Sequence, residues 1–197
     1  QIRYNLFKNT RYYTWVYSIY VDGSWGQEFY GNIFYNSATL AVLLNGGRDN
    51  IAEDNIIIQH TYETVGIMSN WDLDTENYDE EAYNQIMGSL EGLPKPGSDR
   101  YEQWYERWPE MFEYSYDVND LGKENCVYTP VNYVKNNHFF GKVSFGNETL
   151  LKYGKLENNV THTLDEDVGF VCPATGDYRI TSGAKVNDIK FENIGRY

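Results

Sequence analysis

Asp22, Arg48, Asp49 and His60 are the side chains whose types suit acid–base chemistry on a sugar. Cleavage of a glycosidic bond commonly uses two carboxylates, about 5–5.5 Å apart when configuration is retained and about 6.5–9.5 Å apart when it is inverted. An arginine such as Arg48 suits a uronate carboxylate, either binding it or neutralising its charge next to an abstracted proton. His60 and His138 have the chemistry of a general acid or base. Each also has an ordinary structural reading. Asp22 and Asp49 suit turns, Arg48 an ion pair with Asp49 or Glu53, and His138 a hydrogen-bonded structural position. His162 is expected to be exposed. Trp25 and Trp71 offer flat faces on which sugar rings stack.

A second candidate is the acidic run DLDTENYDEE, residues 72–81. Asp72, Asp74 and Glu76 could hold a calcium ion, the one cofactor the chain suggests. The run is not an EF-hand, because its sixth position is Asn77 rather than Gly and its twelfth is Tyr83 rather than Glu. A solvated loop leading into a helix N-terminus, which favours acidic side chains, explains it as well.

Other chemistries are excluded. There is no phosphate-binding glycine loop, HExxH or GxSxG in the chain. Two cysteines, Cys126 and Cys172, cannot build a four-thiolate metal site; they would pair in an oxidising compartment or remain as buried thiols. The net charge of −13 argues against nucleic acid and anionic membrane surfaces. No apolar run approaches the roughly 20 residues of a membrane span.

The elements that position these residues are announced by a repeat. Asn5, Asn32, Asn55, Asn137 and Asn159 each stand directly before a short β-branched or aromatic run, as in GNIFYN. The spacings are 27, 23, 82 and 22 residues. A period in the low twenties, with one asparagine per repeat, predicts an all-β solenoid whose coils stack parallel strands about 4.8 Å apart. An inward asparagine at the same bend of every coil can hydrogen-bond the backbone of the next coil, satisfying peptide groups that a tight buried turn strands. Asparagine also tolerates the left-handed backbone such bends require. IYVDG and VLLNG, which place Asp22 and Asn45 ten residues before their asparagines, are expected to stack on neighbouring coils. The regular leucines of a leucine-rich repeat are absent, so the expected fold is a right-handed parallel β-helix with an asparagine ladder.

The 82-residue step is one coil plus an insertion of about 59 residues. This excursion, near residues 65–125, changes to helical composition at 79–91 and 99–113 within a single β-helix domain spanning 1–197. Asp99 and Glu102 suit a capping box, and Pro109 should end or kink the second helix. Trp104, Trp108 and Phe112 fall on one helical face. The chain opens on Gln1, in mid-coil before Asn5. The expectation is therefore a C-terminal portion whose missing coils lie upstream in the same protein or on a second chain.

The residues IYVDGSWGQEFYGNIFYNSATLAVLLNGGRDNIAEDNIIIQ resemble the middle coils of secreted right-handed β-helix proteins, a group that includes glycoside hydrolases and polysaccharide lyases. WYERWPEM resembles the helical excursion many of them carry, and VGFVCPATGDYRITSGAKVNDIKFENIGRY resembles their closing segment. The likeness covers nearly the whole chain. It implies an extracellular protein acting on polysaccharide, with a non-catalytic glycan-binding or scaffold role as the alternative. In that setting the sequons at Asn147 and Asn159 would be N-glycosylation acceptors. The stretch VGIMSNWDLD lacks the Asp-x-Arg-Gly run often found near the excursion, and no Gly-His-Gly stands beside paired aspartates.

Overall fold

A computed structural model of the protein describes residues 1–8, 16–22, 24, 26–37, 40–45, 50–58, 67–68, 94–107, 109, 132–141, 143, 155–186 and 188–189. The chain divides into two compact units, Gln1–Asp72 with Pro130–Tyr197, and Leu73–Thr129.

The first unit is a parallel β-solenoid. Three complete coils are β1 (Ile2–Arg3), β2 (Leu6–Lys8) and β3 (Tyr17–Asp22); β4 (Glu28–Tyr30), β5 (Ile33–Tyr35) and β6 (Leu40–Asn45); and β7 (Ile51–Glu53), β8 (Ile56–Ile58) and β9 (Ile67–Met68). Two further levels follow as β10 (Tyr133–Lys135) with β11 (His138–Phe140), and β12 (Lys155–Glu157) with β13 (Val160–His162). Like strands stack into three parallel walls: β1-β4-β7-β10-β12, β2-β5-β8-β11-β13 and β3-β6-β9. Asp22 pairs in register with Asn45, so IYVDG and VLLNG do stack.

Strands this short cannot stand alone, and their apolar residues show why they stack. Phe29, Ala52 and Val134 of the first wall, Phe34, Ile57 and Phe139 of the second, and Val21, Val42 and Leu44 of the third close one buried interior. Phe7 and Phe34 lie face to face on successive coils, with ring centroids 4.8 Å apart. The residues flanking that central column in the second wall point the other way, yet Ile33, Ile56, Ile58 and Phe140 are also buried. Their cover is the segment after the last coil, which contributes Val168, Tyr178, Ala184, Val186 and Ile189 to a second apolar cluster. Burial on both faces explains why IFY, III and HFF carry bulky, mostly apolar side chains at successive positions instead of alternating.

This returning segment forms the antiparallel pair β14 (Phe170–Cys172) and β15 (Asp177–Ile180), joined through a short 3-10 turn at Pro173–Thr175. It reaches the first coil, where Lys8 sits over the Tyr178 ring, and comes back to the fourth level, where Asp188 meets His138. The two arms cross tightly at Gly169, whose φ is +88° and where a Cβ would lie 2.4 Å from that of Ala184.

In the second unit, α1 (Tyr101–Arg107) falls within the expected helical stretch 99–113 and ends before Pro109. The expected helix at 79–91, Trp108 and Phe112 lie outside the described residues. Among the described residues no helix is long and apolar enough to cross a membrane.

Candidate functional site: the ladders, the outer wall and a paired-histidine seam

The five repeating asparagines form one continuous ladder at the bend between the first and second walls. The backbone N–H and side-chain Nδ2 of Asn32 both donate to Asn55 Oδ1, at 3.0 and 3.1 Å. Asn55 repeats this towards Asn137 at 3.0 and 2.9 Å, across 82 residues of sequence. Asn137 does so towards Asn159 at 3.1 and 3.0 Å. From Asn32 onward, the Nδ2 of each rung also reaches back to a carbonyl of the preceding coil: Ile2, Phe29, Ala52 and Val134 in turn.

The left-handed backbone is not at the ladder asparagines but one residue earlier. Tyr4, Gly31, Asp54, Asn136 and Asn158 all carry φ between +52° and +64°. The bend is thus two residues with separate tasks: the first turns the chain, and the second pairs what the turn exposes. Asn159, as a rung, has its Nδ2 committed to the Val134 carbonyl at 2.7 Å and its Oδ1 to Asn137. A glycan on that nitrogen would remove the rung. Asn147 lies outside the described residues.

A shorter ladder runs at the opposite bend and was not anticipated. The Gln27 N–H donates to Asn50 Oδ1 at 2.9 Å, and Asn50 donates through both its nitrogens to Asn132 Oδ1 at 3.2 and 3.0 Å. Its sequence signal was present, since Gln27, Asn50 and Asn132 each stand five residues before a rung of the long ladder.

Of the residues proposed for chemistry, Asp22 closes β3 at the position paired with Asn45. Trp25, Arg48, Asp49, His60, Trp71, Asp72, Asp74 and Glu76 lie outside the described residues, as does Cys126. Cys172 carries a free thiol, which hydrogen bonds from Thr175 hold below the usual thiol range. Among the described residues no group of His, Cys, Asp and Glu has the arrangement of a metal site.

The outward face of the first wall carries alternating charge and aromatic side chains. Arg3 donates to the Tyr30 hydroxyl at 2.6 Å, and this bond raises its pKa. Lys135 pairs with Glu53 at 3.3 Å, and Lys155 lies 5.4 Å from the Tyr133 ring centroid.

The most unusual side chains are beneath the returning segment. His138 and His162 stand on adjacent rungs of the second wall and are both buried, at 2% and 8% exposure. His162 is therefore not the exposed residue its position after Asn159 suggests, because Phe140 stacks on its ring at 4.3 Å and the returning segment covers that face. His138 Nδ1 lies 2.8 Å from His162 Nε2. With ring centroids 5.1 Å apart and planes within 11°, the two imidazoles join edge to edge through this hydrogen bond, not face to face. His138 Nε2 contacts Asp188 Oδ1 at 2.9 Å, and His162 Nδ1 faces Glu166 Oε2 at 3.7 Å. Lys185 closes the array by pairing with Glu166. Beside the array, a cleft of about 150 Å³ is lined by Tyr35, Ile58, Phe140, Leu164, Glu166 and neighbouring residues of the segment.

No protein-family model, curated protein or solved structure matches this chain.

Proposed function

We propose that the protein acts on an extracellular polysaccharide, as a carbohydrate-active parallel β-helix of the hydrolase or lyase type. The observation that carries the reading is the outward face of the first wall. There Tyr30 and Tyr133 present aromatic rings on a straight, repeating surface, each with a cation beside it, Arg3 and Lys155. Aromatic faces stack on sugar rings, and cations suit uronate carboxylates. In this reading Asp22, Arg48, Asp49 and His60 supply the polar chemistry, Trp25 and Trp71 extend the sugar contacts, and Asp72, Asp74 and Glu76 take calcium where the reaction needs it.

The non-catalytic alternative, a glycan-binding or scaffold β-helix, is favoured by a different feature of the same face. Its polar groups answer one another, as in the Lys135–Glu53 ion pair and the Asn136 Nδ2 hydrogen bond to Glu53, and leave a self-sufficient wall. Affinity electrophoresis against a panel of neutral and uronate-containing polysaccharides tests both readings, combined with assays for new reducing ends and for the ultraviolet absorbance of an unsaturated uronate. Retardation that Tyr30→Ala with Tyr133→Ala abolishes, together with products that Asp49→Asn abolishes, is the expected result. Retardation without products would leave the glycan-binding role, and no retardation by any polysaccharide would overturn the enzyme and the glycan-binding role and leave the scaffold.

A further inference from the structure

The column containing His138 is otherwise apolar: its in-register neighbours are Ile56 on one side and Val160 on the other. A polar, titratable ring in that place is costly unless it is paired. Its pairing connects the wall to both ends of the segment that covers it. Asp188 and Lys185 come from the end of that segment and Glu166 from its beginning. On the other side of His138, β8 is isoleucine at every position, and Ile56 is its in-register partner.

The hydrogen-bond directions follow from the acceptors. A carboxylate only accepts, so His138 Nε2 carries a proton and donates to Asp188. In a neutral His138 the Nδ1 lone pair is then an acceptor, and His162 Nε2 must donate to it. Neutral His162 is left with a bare Nδ1 aimed at Glu166. The array can therefore take one proton without rearranging, on His162 Nδ1, which converts a meeting of two acceptors into an N–H directed at a carboxylate. A second proton has one lone pair left to occupy, His138 Nδ1. There it would face the His162 Nε2–H across 2.8 Å, donor against donor.

We infer that the His138–His162 pair is a proton-operated latch for the C-terminal segment: it keeps residues 168–189 closed over the second wall while it holds no more than one added proton, and releases them when the second arrives. Opening frees His138 to be solvated as a cation and uncovers the Ile33, Ile56, Ile58 and Phe140 face.

The charge balance agrees with this direction. Burial pushes the His138 pKa below its ordinary 6.5, against the opposing pull of Asp188. The folded arrangement therefore binds this proton less readily than the released one. The resulting stability is fully present above pH 6.5 and is lost as pH falls below it. Glu166 does not act as the trigger, because its hydrogen bond with Lys185 holds its pKa near 2, so it stays ionised throughout this window.

Hydrogen exchange of the amides of Thr181, Ala184 and Ile189, which bond within the segment, reads the latch directly. Between about pH 7.5 and about pH 5, after correction for intrinsic rates, exchange of these amides should rise roughly tenfold or more while Ile56 and Val160 on the ladder strands stay protected. His138→Phe, which keeps the column apolar, should remove the acid response. The imidazole 15N resonances of the unmodified protein supply a readout that needs no variant: His138 should become doubly protonated at the pH where the segment opens. The proposal is overturned by acid-insensitive exchange, by His138→Phe opening at the same pH as the parent, or by His138 remaining neutral through the opening.

Discussion

The interior of the solenoid and the layer beneath its returning segment are both buried, and both contain polar groups, but they solve the problem differently. Inside, Asn32, Asn55 and Asn137 are fully buried and neutral, and each donates and accepts within a chain of amides that has no proton to gain or lose near neutral pH. Outside, His138 and His162 are also buried, but an imidazole, unlike an amide, has a lone pair that can take a proton. Amide pairing makes a wall that is indifferent to its surroundings. Imidazole pairing makes a cover whose closure depends on them.

The comparison is broken most severely from the inside. Asn55→Ala removes two hydrogen bonds from Nδ2 and two to Oδ1, and strands the Phe29 carbonyl and the Asn32 N–H in the interior. At roughly 1 kcal/mol for each lost bond, the expected destabilisation is about 4 kcal/mol by denaturant unfolding, with no dependence on pH between neutral and mildly acidic conditions. An effect confined to the returning segment would contradict the ladder's role.

Truncation of the cover should cost somewhat less and act elsewhere. Tyr178 is 1% exposed and contacts the rings of Tyr35 and Phe170 and the ammonium of Lys8. Tyr178→Ala should destabilise by about 3 kcal/mol, seen as loss of exchange protection in 168–189 before the coils unfold. Simultaneous loss in both regions would mean they form a single cooperative unit. The smallest effect belongs to the outward face of the first wall. Lys135→Ala removes a half-exposed ion pair with Glu53 and should change stability by about 0.5 kcal/mol or less, diminishing further in high salt.

The two regions were also unequally legible in the sequence. The long ladder could be read because one residue type recurs at one bend and the bend repeats, even across the 82-residue step. The short ladder was missed because its asparagine recurs only twice, at Asn50 and Asn132, with a glutamine at the first position. The left-handed position was assigned one residue late, since Tyr4, Gly31, Asp54, Asn136 and Asn158 share a conformation and not an identity. The paired histidines were harder still. His138 and His162 are 24 residues apart, and their partners Asp188 and Glu166 come from a segment whose path no local pattern reveals. The clue was compositional: III is apolar at every position and HFF carries bulky rings at every position, which requires something to lie on their outer face.

The long ladder has one further property. From Asn32 to Asn159, every Oδ1 in it receives its hydrogen bonds from the coil before, so these side-chain carbonyls point the same way along the solenoid. Turning a single amide over would set oxygen against oxygen on one side and NH2 against NH2 on the other. The orientation of any rung therefore dictates the orientation of all of them. The stack behaves as a vector, a row of aligned dipoles with its negative end towards the first coil. Each new coil laid down during folding inherits its polarity from its neighbour, and a coil presenting its asparagine in the opposite sense would be rejected at the point of contact.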